Sequence, residues 1–283
     1  MDQNKKERAG PKRFAICGGD RRFQLLAELL RRDGQEVLTC GGTPAALGRA
    51  EAVVLPLPTL DRTGKVNIGT ECTTPEELFS RLTPGTLVLT GPVPEQMRKL
   101  AAASGLRLRD YTAGEAFKTD NAVPTAEGAI ALAIDQMEKT IHGSRAVVIG
   151  AGSIGKLLAL RLKALGASVT LTARQARDLS WAEALGLTPH LTDQLADVLA
   201  DAEIVFGTVP APVLGTAELE ALPPDTPYIE LASLPGGIAP EAMSATGRHR
   251  IIPAPGLPGK TAPQTAAEII KRAIDTILEE EAR

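Results

Sequence analysis

Val147-Val148-Ile149-Gly150-Ala151-Gly152-Ser153-Ile154-Gly155, running on into Lys156-Leu157-Leu158-Ala159-Leu160, carries the fold of this chain. The apolar, β-branched residues read as a buried strand, the spaced glycines as a turn, and the leucine-rich run as a helix. Each glycine has its own physical task. Gly150 permits the tight turn, Gly152 lets a pyrophosphate approach the backbone, and Gly155 lets the helix pack closely on the strand. Ser153 and Ile154 open the helix, where unpaired N–H groups favour a negative charge. Strand, glycine turn and helix in this order mark a dinucleotide-binding unit; the glycines alone do not.

The following strand, Ser168–Ala173, bears on which nucleotide fits. An NAD site usually has an Asp or Glu about 20 residues beyond the glycines, bonding the ribose 2′-hydroxyl. None stands at the end of this strand, which reads Thr172-Ala173-Arg174. Ala173 leaves space, Arg174 offers a guanidinium fork suited to a 2′-phosphate, Thr172 adds a hydroxyl and Arg177 is close. The expectation is NADP rather than NAD; the plainer alternative is two solvated surface arginines.

Outward from this unit, short β-type runs alternate with helix-period runs, the pattern of parallel sheets built from βαβ units. Strands are expected at 14–17, 36–39, 52–55, 86–90 and 106–109, five units that suffice for a flavodoxin-like sheet. Helices are expected at 23–32, from the cap-like Thr74-Pro75-Glu76-Glu77, and at 94–103. Pro124–Ile141 reads as an amphipathic helix with Pro124 in its first turn. The second series follows at 146–149, 168–173, 204–207, 228–232 and 250–254. Pro255–Pro263 reads as a loop because of its prolines and glycines, and Gln264–Glu279 as a closing helix with one apolar stripe. That stripe is expected to pack back on the first domain. The fold class is therefore α/β in two domains. Residues 1–123 with 263–283 form a flavodoxin-like substrate domain, and 124–262 a Rossmann NADP-binding domain.

The chain has 283 residues, 43% hydrophobic and 23% charged, as a globular protein does. A net charge of -3 argues against nucleic acid as the main partner. No apolar run approaches the roughly 18 residues that span a membrane. Met1–Arg8 lacks the apolar core of a secretion signal. Cys17, Cys40 and Cys72 are widely spaced, fitting reduced cytoplasmic thiols, and no histidine–carboxylate cluster has metal-ligand spacing.

Several segments together resemble the A subunit of dipicolinate synthase: Gly18-Gly19-Asp20-Arg21, Asn121–Gly128, the glycine turn, Leu231–Gly237 and Pro255-Gly256-Leu257-Pro258-Gly259-Lys260. The resemblance implies a two-domain protein working with a flavoprotein-like B subunit. Together they would convert dihydrodipicolinate into dipicolinate during spore formation. The fold is also similar to D-2-hydroxy-acid and alanine dehydrogenases, in which loops after the fourth and fifth Rossmann strands approach the nicotinamide. Here these are Thr208-Val209-Pro210 and Ala232-Ser233. Hydroxy-acid dehydrogenases carry a catalytic histidine after a later strand, where this chain has Ile252-Pro253-Ala254-Pro255-Gly256.

A planar dicarboxylate calls for cations or N–H donors converging in a cleft between the domains. The candidate catalytic residues are Lys118, Asn121 and Lys260, and the candidate substrate ligands are Arg21, Thr125 and Ser233. Arg21 and Arg22 follow the first strand, where either clamps a carboxylate or lies in solvent. Lys118 and Asn121 are placed in a polar loop before the Pro124 helix, whose N-terminus with Thr125 binds an anion or is simply capped. Glu127 reads as a first-turn charge more readily than as a base. Lys260 is a carboxylate partner or a solvated loop charge, and Asp61–Asn67 a flap or a surface loop. Two other functions stay open: a 2-hydroxy- or imino-acid dehydrogenase, and a regulatory subunit that binds nucleotide without catalysis. Each is compatible with a homo-oligomer.

Overall fold

The computed structural model describes residues 13–39, 47–69 and 71–283, so Met1–Arg8 and Cys40 lie outside the described residues. By Cα proximity the chain divides into two compact units: residues up to Asp120 with Pro263–Arg283, and Asn121–Ala262.

The first unit is built on a parallel sheet of β1 (Arg13–Ile16), β2 (Glu36–Thr39), β3 (Ala52–Val54), β6 (Leu87–Thr90) and β7 (Arg107–Asp110). A separate antiparallel ribbon joins β4 (Val66–Asn67) to β5 (Cys72–Thr73). The sheet order is β2-β1-β3-β6-β7, the flavodoxin-like order, with its switch point between β1 and β3. The central strands β3 and β6 are buried along their whole length. That explains their unbroken apolar runs, because a parallel sheet is covered on both faces.

Helix α1 (Arg21–Arg32) starts two residues before its periodicity suggests. Asp20 caps it, accepting the Arg22 N–H at 3.1 Å, so Arg21 and Arg22 stand in the first turn and not in a loop. Helix α2 (Pro75–Ser80) has a reciprocal cap. The Glu77 N–H donates to Thr74 Oγ1 at 3.2 Å and the Thr74 N–H to Glu77 Oε2 at 3.4 Å. Helix α3 (Glu95–Ala103) lies between β6 and β7 in sequence.

Helix α4 (Glu115–Gln136) corrects the expectation of a helix over 124–141. Pro124 lies in its interior, leaving the Asp120 carbonyl without a main-chain donor at that rung. Lys118 and Asn121 are consequently helical. Thr125 is a mid-helix residue whose hydroxyl donates to the Asn121 carbonyl at 2.7 Å, so it does not sit at an anion-binding N-terminus.

The second unit holds six parallel strands: β8 (Arg145–Ile149), β9 (Ser168–Ala173), β10 (Thr188–Leu191), β11 (Ile204–Gly207), β12 (Tyr228–Glu230) and β13 (Ile251–Pro253). Their order, β10-β9-β8-β11-β12-β13, is that of a dinucleotide-binding Rossmann sheet, reversing between β8 and β11. The accompanying helices are α5 (Ser153–Ala164), α6 (Ala176–Ala184), α7 (Ala196–Leu199), α8 (Thr216–Ala221) and α9 (Leu257–Thr261). Helix α9 occupies part of the expected Pro255–Pro263 loop, because Pro258 suits a first turn. It packs hard on α4: a Cβ added to Gly128 would lie 2.9 Å from Thr261 Oγ1 and 3.1 Å from Leu257 Cβ.

Helix α10 (Pro263–Glu281) returns to the first unit, as its stripe suggests, and runs against α1. Ile269, Ile270, Ile274 and Ile277 are buried in the cluster that contains Phe14, Phe23, Leu26 and Leu30. At about 1.5–3 kcal/mol each, these isoleucines contribute as much as the roughly 5–15 kcal/mol stability of a whole domain. Polar ties fix the register. Lys271 Nζ meets Asp33 at 2.5 Å and Asp275 at 2.8 Å, Arg107 meets Glu281 at 2.7 Å, and Arg109 binds Glu280 and Glu281. Truncation after Pro263 should therefore unfold the first unit while the second keeps a cooperative melt. Two unchanged transitions in calorimetry of the truncated chain would contradict this packing.

Candidate functional site

At the switch point of the second sheet the glycine turn has the geometry its spacing implies. Gly150 sits at φ +103°, where only glycine is relaxed. A Cβ on Gly150 would meet Val209 Cγ2 at 2.6 Å and Thr208 Oγ1 at 2.7 Å. The loop after β11 thus presses directly on the turn. A Cβ on Gly155 would stand 1.9 Å from the Gly150 carbonyl oxygen, so the helix approaches the strand as closely as backbone allows. Gly152 is different. It is the N-cap of α5, exposed, with open space around any added Cβ. Ser153 and Ile154 follow in the first turn, and their N–H groups have no intrahelical acceptor. An anion fits here, between an uncrowded glycine and a positive helix end.

The edge of this site is set by β9. Ala173 ends the strand, and Arg174 is exposed immediately beyond it. Arg177 lies in the first turn of α6, its side chain 79% exposed and its Nε 4.0 Å from Asp178 Oδ2. Thr172 needs correction. It is 0% exposed and its hydroxyl accepts from Thr192 Oγ1 at 3.3 Å, while its carbonyl receives the Gly150 N–H at 3.1 Å. Its side chain braces β9 from within and offers nothing to a ligand. One acidic residue gave no signal in the sequence: Asp178, just past the strand end, is engaged by Lys156 Nζ at 2.8 Å.

Beyond β11 and β12, Thr208 donates its hydroxyl to the Ile149 carbonyl at 2.8 Å, and Pro210 and Ser233 are exposed. The Ala232 N–H donates to Glu230 Oε1 at 3.0 Å. Glu230, also missed in the sequence, is half-buried at the end of β12. Burial pushes its carboxyl above the ordinary 4.5, against the lowering pull of hydrogen bonds from Gly237, Ala232 and Tyr228.

In the first unit the strand ends are organised by Arg22, not Arg21. Arg22 is 4% exposed, donates to Asp20 through Nε at 2.9 Å and Nη2 at 2.8 Å, and reaches the Leu57 carbonyl at 3.0 Å. Asp20 is held below the usual carboxylate range; burial alone would raise it, and the bonds and charge of Arg22 outweigh that. Arg21 is exposed and donates to Gln24 at 3.0 Å. The Asp61–Asn67 segment is a tight turn running into β4. Asp61 Oδ1 accepts from Thr63 and Lys65, and Asn67 O lies 2.2 Å from where a Gly18 Cβ would be. Lys118 pairs with Glu115 at 2.7 Å on an exposed face, and Asn121 is half-buried. Glu127, expected in a first turn, faces Arg161 at 3.6 Å from mid-helix. Lys260 is exposed near the end of α9 and is helical, not part of a loop. No described helix is long and apolar enough to cross a membrane.

Both units have counterparts among known proteins. Residues 13–112 match the family model for the N-terminal domain of the dipicolinate synthase A subunit. Across the whole chain, the dipicolinate synthase A subunit of Bacillus subtilis (strain 168) is 29% identical over 286 residues, covering 95% of this chain and 96% of the relative. The chain is a homologue of the dipicolinate synthase A subunit. The crystal structure of that protein from Bacillus halodurans superposes with a TM-score of 0.82 at 27% identity, covering 94% of this chain and 97% of the other. Residues 118–232 match the NAD binding domain of D-isomer specific 2-hydroxyacid dehydrogenases, so the chain carries a nicotinamide-nucleotide-binding domain of the oxidoreductase type. D-lactate dehydrogenase from Escherichia coli shares the fold, with a TM-score of 0.62 at 14% identity over 95% of this chain and 96% of that one.

Two outcomes follow from this geometry. Gly155→Ala drives a methyl into a backbone oxygen, so nucleotide affinity should fall at least about tenfold together with the melting temperature of the second unit. Normal binding in titration calorimetry would contradict the close approach. For Glu230, a folded-state pKa above 4.5 means a stabilising contribution that is complete below 4.5 and lost as pH rises through the folded value. Relative to wild type, Glu230→Gln should gain stability as pH is raised through that window. A melting-temperature difference that stays flat with pH would refute the shift.

Proposed function

We propose that the chain is a dipicolinate synthase A subunit, oxidising dihydrodipicolinate to dipicolinate with NADP in spore formation, alongside a flavoprotein-like B subunit. The observation that carries this reading is likeness over nearly the full chain, including the N-terminal unit specific to that family. In the reaction the substrate ring gives up one hydride and one proton and becomes aromatic. Bound at the glycine turn, the nucleotide supplies the two-electron acceptor.

The protein's part is positioning. Gly150, Gly152, Ser153, Ile154 and Gly155 hold the pyrophosphate on the α5 N-terminus. Arg174 binds the 2′-phosphate, because Ala173 clears room and the nearby acid, Asp178, is neutralised by Lys156. Thr208, Val209, Pro210 and Ala232 border the nicotinamide. Arg21, Lys118, Asn121, Ser233 and Lys260 are the groups proposed to bind the two carboxylates and take up the proton. Thr125 leaves this set, since its hydroxyl is engaged within α4. Aromatisation drives the proton loss, so no strong base is needed.

The decisive assay mixes purified chain, with and without the B subunit, with NADP and dihydrodipicolinate, and follows dipicolinate absorbance. NADP-dependent product supports the reading; product that needs only a partner's flavin assigns the nucleotide a regulatory role. For Arg174→Ala the expected loss in NADP binding is about 1–3 kcal/mol, roughly 5- to 150-fold in Kd, with NAD scarcely changed. Equal or tighter NAD binding by the wild-type chain would remove the NADP assignment.

A further inference from the structure

Glu230 is an acidic side chain that the chemistry above leaves unused. It ends β12, in register with Gly207 of β11 and Pro253 of β13. Its carboxylate accepts three hydrogen bonds: Ala232 N–H to Oε1 at 3.0 Å, and Gly237 N–H at 2.8 Å and Tyr228 Oη at 3.2 Å to Oε2. The space is shaped for it. A Cβ on Gly207 would lie 2.0 Å from Tyr228 Oη and 3.0 Å from Glu230 Oε1, and one on Gly236 or Gly237 would lie 3.3 Å from Oε2.

The contacts continue from there to the glycine turn. Gly237, held by Glu230, accepts the Val213 and Leu214 N–H groups on its own carbonyl at 2.8 and 2.9 Å. Those residues close the loop that begins at Thr208, and Thr208 and Val209 press on Gly150. One carboxylate therefore ties the 231–237 loop to the 208–214 loop, and both to the turn. No other side chain of similar size does this. An amide presents a donor where Oε1 or Oε2 must accept, and aspartate is shorter by about one 1.5 Å bond.

We propose that Glu230 is a positioning residue that fixes both loops so that their main chain borders the nicotinamide end of the nucleotide, itself touching neither nucleotide nor substrate. This rests on the nucleotide reading above, so the experiment separates the two. Full-length wild type, Glu230→Gln and Glu230→Asp are compared by amide hydrogen exchange and by calorimetry with NADP and with adenosine 2′,5′-bisphosphate, which lacks the nicotinamide half. In Glu230→Gln the Ala232 and Gly237 amides should exchange at least tenfold faster, while those of Val147–Ile149 stay protected. NADP should bind at least fivefold more weakly and the bisphosphate within twofold of wild type. Glu230→Asp should show the same pattern to a smaller degree, and it decides the matter if the amide variant does not fold. Unchanged loop exchange, or equal weakening of both ligands, overturns the proposal. A wild-type chain that binds neither ligand defeats the nucleotide reading and with it the nicotinamide role, and the exchange data alone then decide the loop contacts.

Discussion

The approach of Gly155 to the Gly150 carbonyl is the constraint on which the second unit depends. A backbone-to-backbone contact this tight fixes where α5 begins relative to β8. That in turn aims the first N–H groups of α5 across the sheet's switch point and leaves Gly152 uncovered. The loop after β11 then has one place to rest, on Gly150. What this turn offers an anion is thus set by packing geometry, since the donors it presents are main-chain N–H groups.

Each sheet also buries a charge where its strands end, and the two are stabilised differently. Asp20 and Arg22 form a mutual bidentate pair that also grips the Leu57 carbonyl, so the charge is matched locally. Glu230 is met by two main-chain N–H groups and a phenol, with no cation among these partners. The first arrangement pulls its carboxyl below the usual range; in the second, burial wins and the carboxyl rises. The same chemical group, in similar topological positions, is favoured as a charge in one sheet and disfavoured as one in the other.

What could be read from the chain alone followed from periodicity and steric necessity. The buried strands announced themselves as apolar runs, the closing helix as a stripe, and the glycine turn through its spacing, in which Gly150 and Gly155 tolerate no Cβ. What could not be read depended on partners distant in sequence. The burial of Arg22 over Arg21 needs the Leu57 carbonyl, 35 residues away. Thr172 resembles a ligand hydroxyl until Thr192 is seen beneath it. Pro124 signalled a helix start because proline is favoured there, yet α4 absorbs it mid-course, which moved Lys118 and Asn121 from a loop into a helix and Thr125 from a first turn to mid-helix. Glu230 gave no sign for a different reason: its donors Tyr228, Ala232 and Gly237 are near in sequence, but the last two lie in a loop whose path follows no period.

The return of α10 to α1 has a consequence for how the molecule is made. During synthesis the segment that completes the first core emerges after the entire nucleotide-binding unit, so the usual N-to-C order of domain maturation is inverted. Phe23, Leu26 and Leu30 must wait, uncovered, until the last isoleucines leave the ribosome. The Rossmann unit, whose elements are contiguous in the chain, can close first, with the two separated parts of its neighbour tethered to its ends.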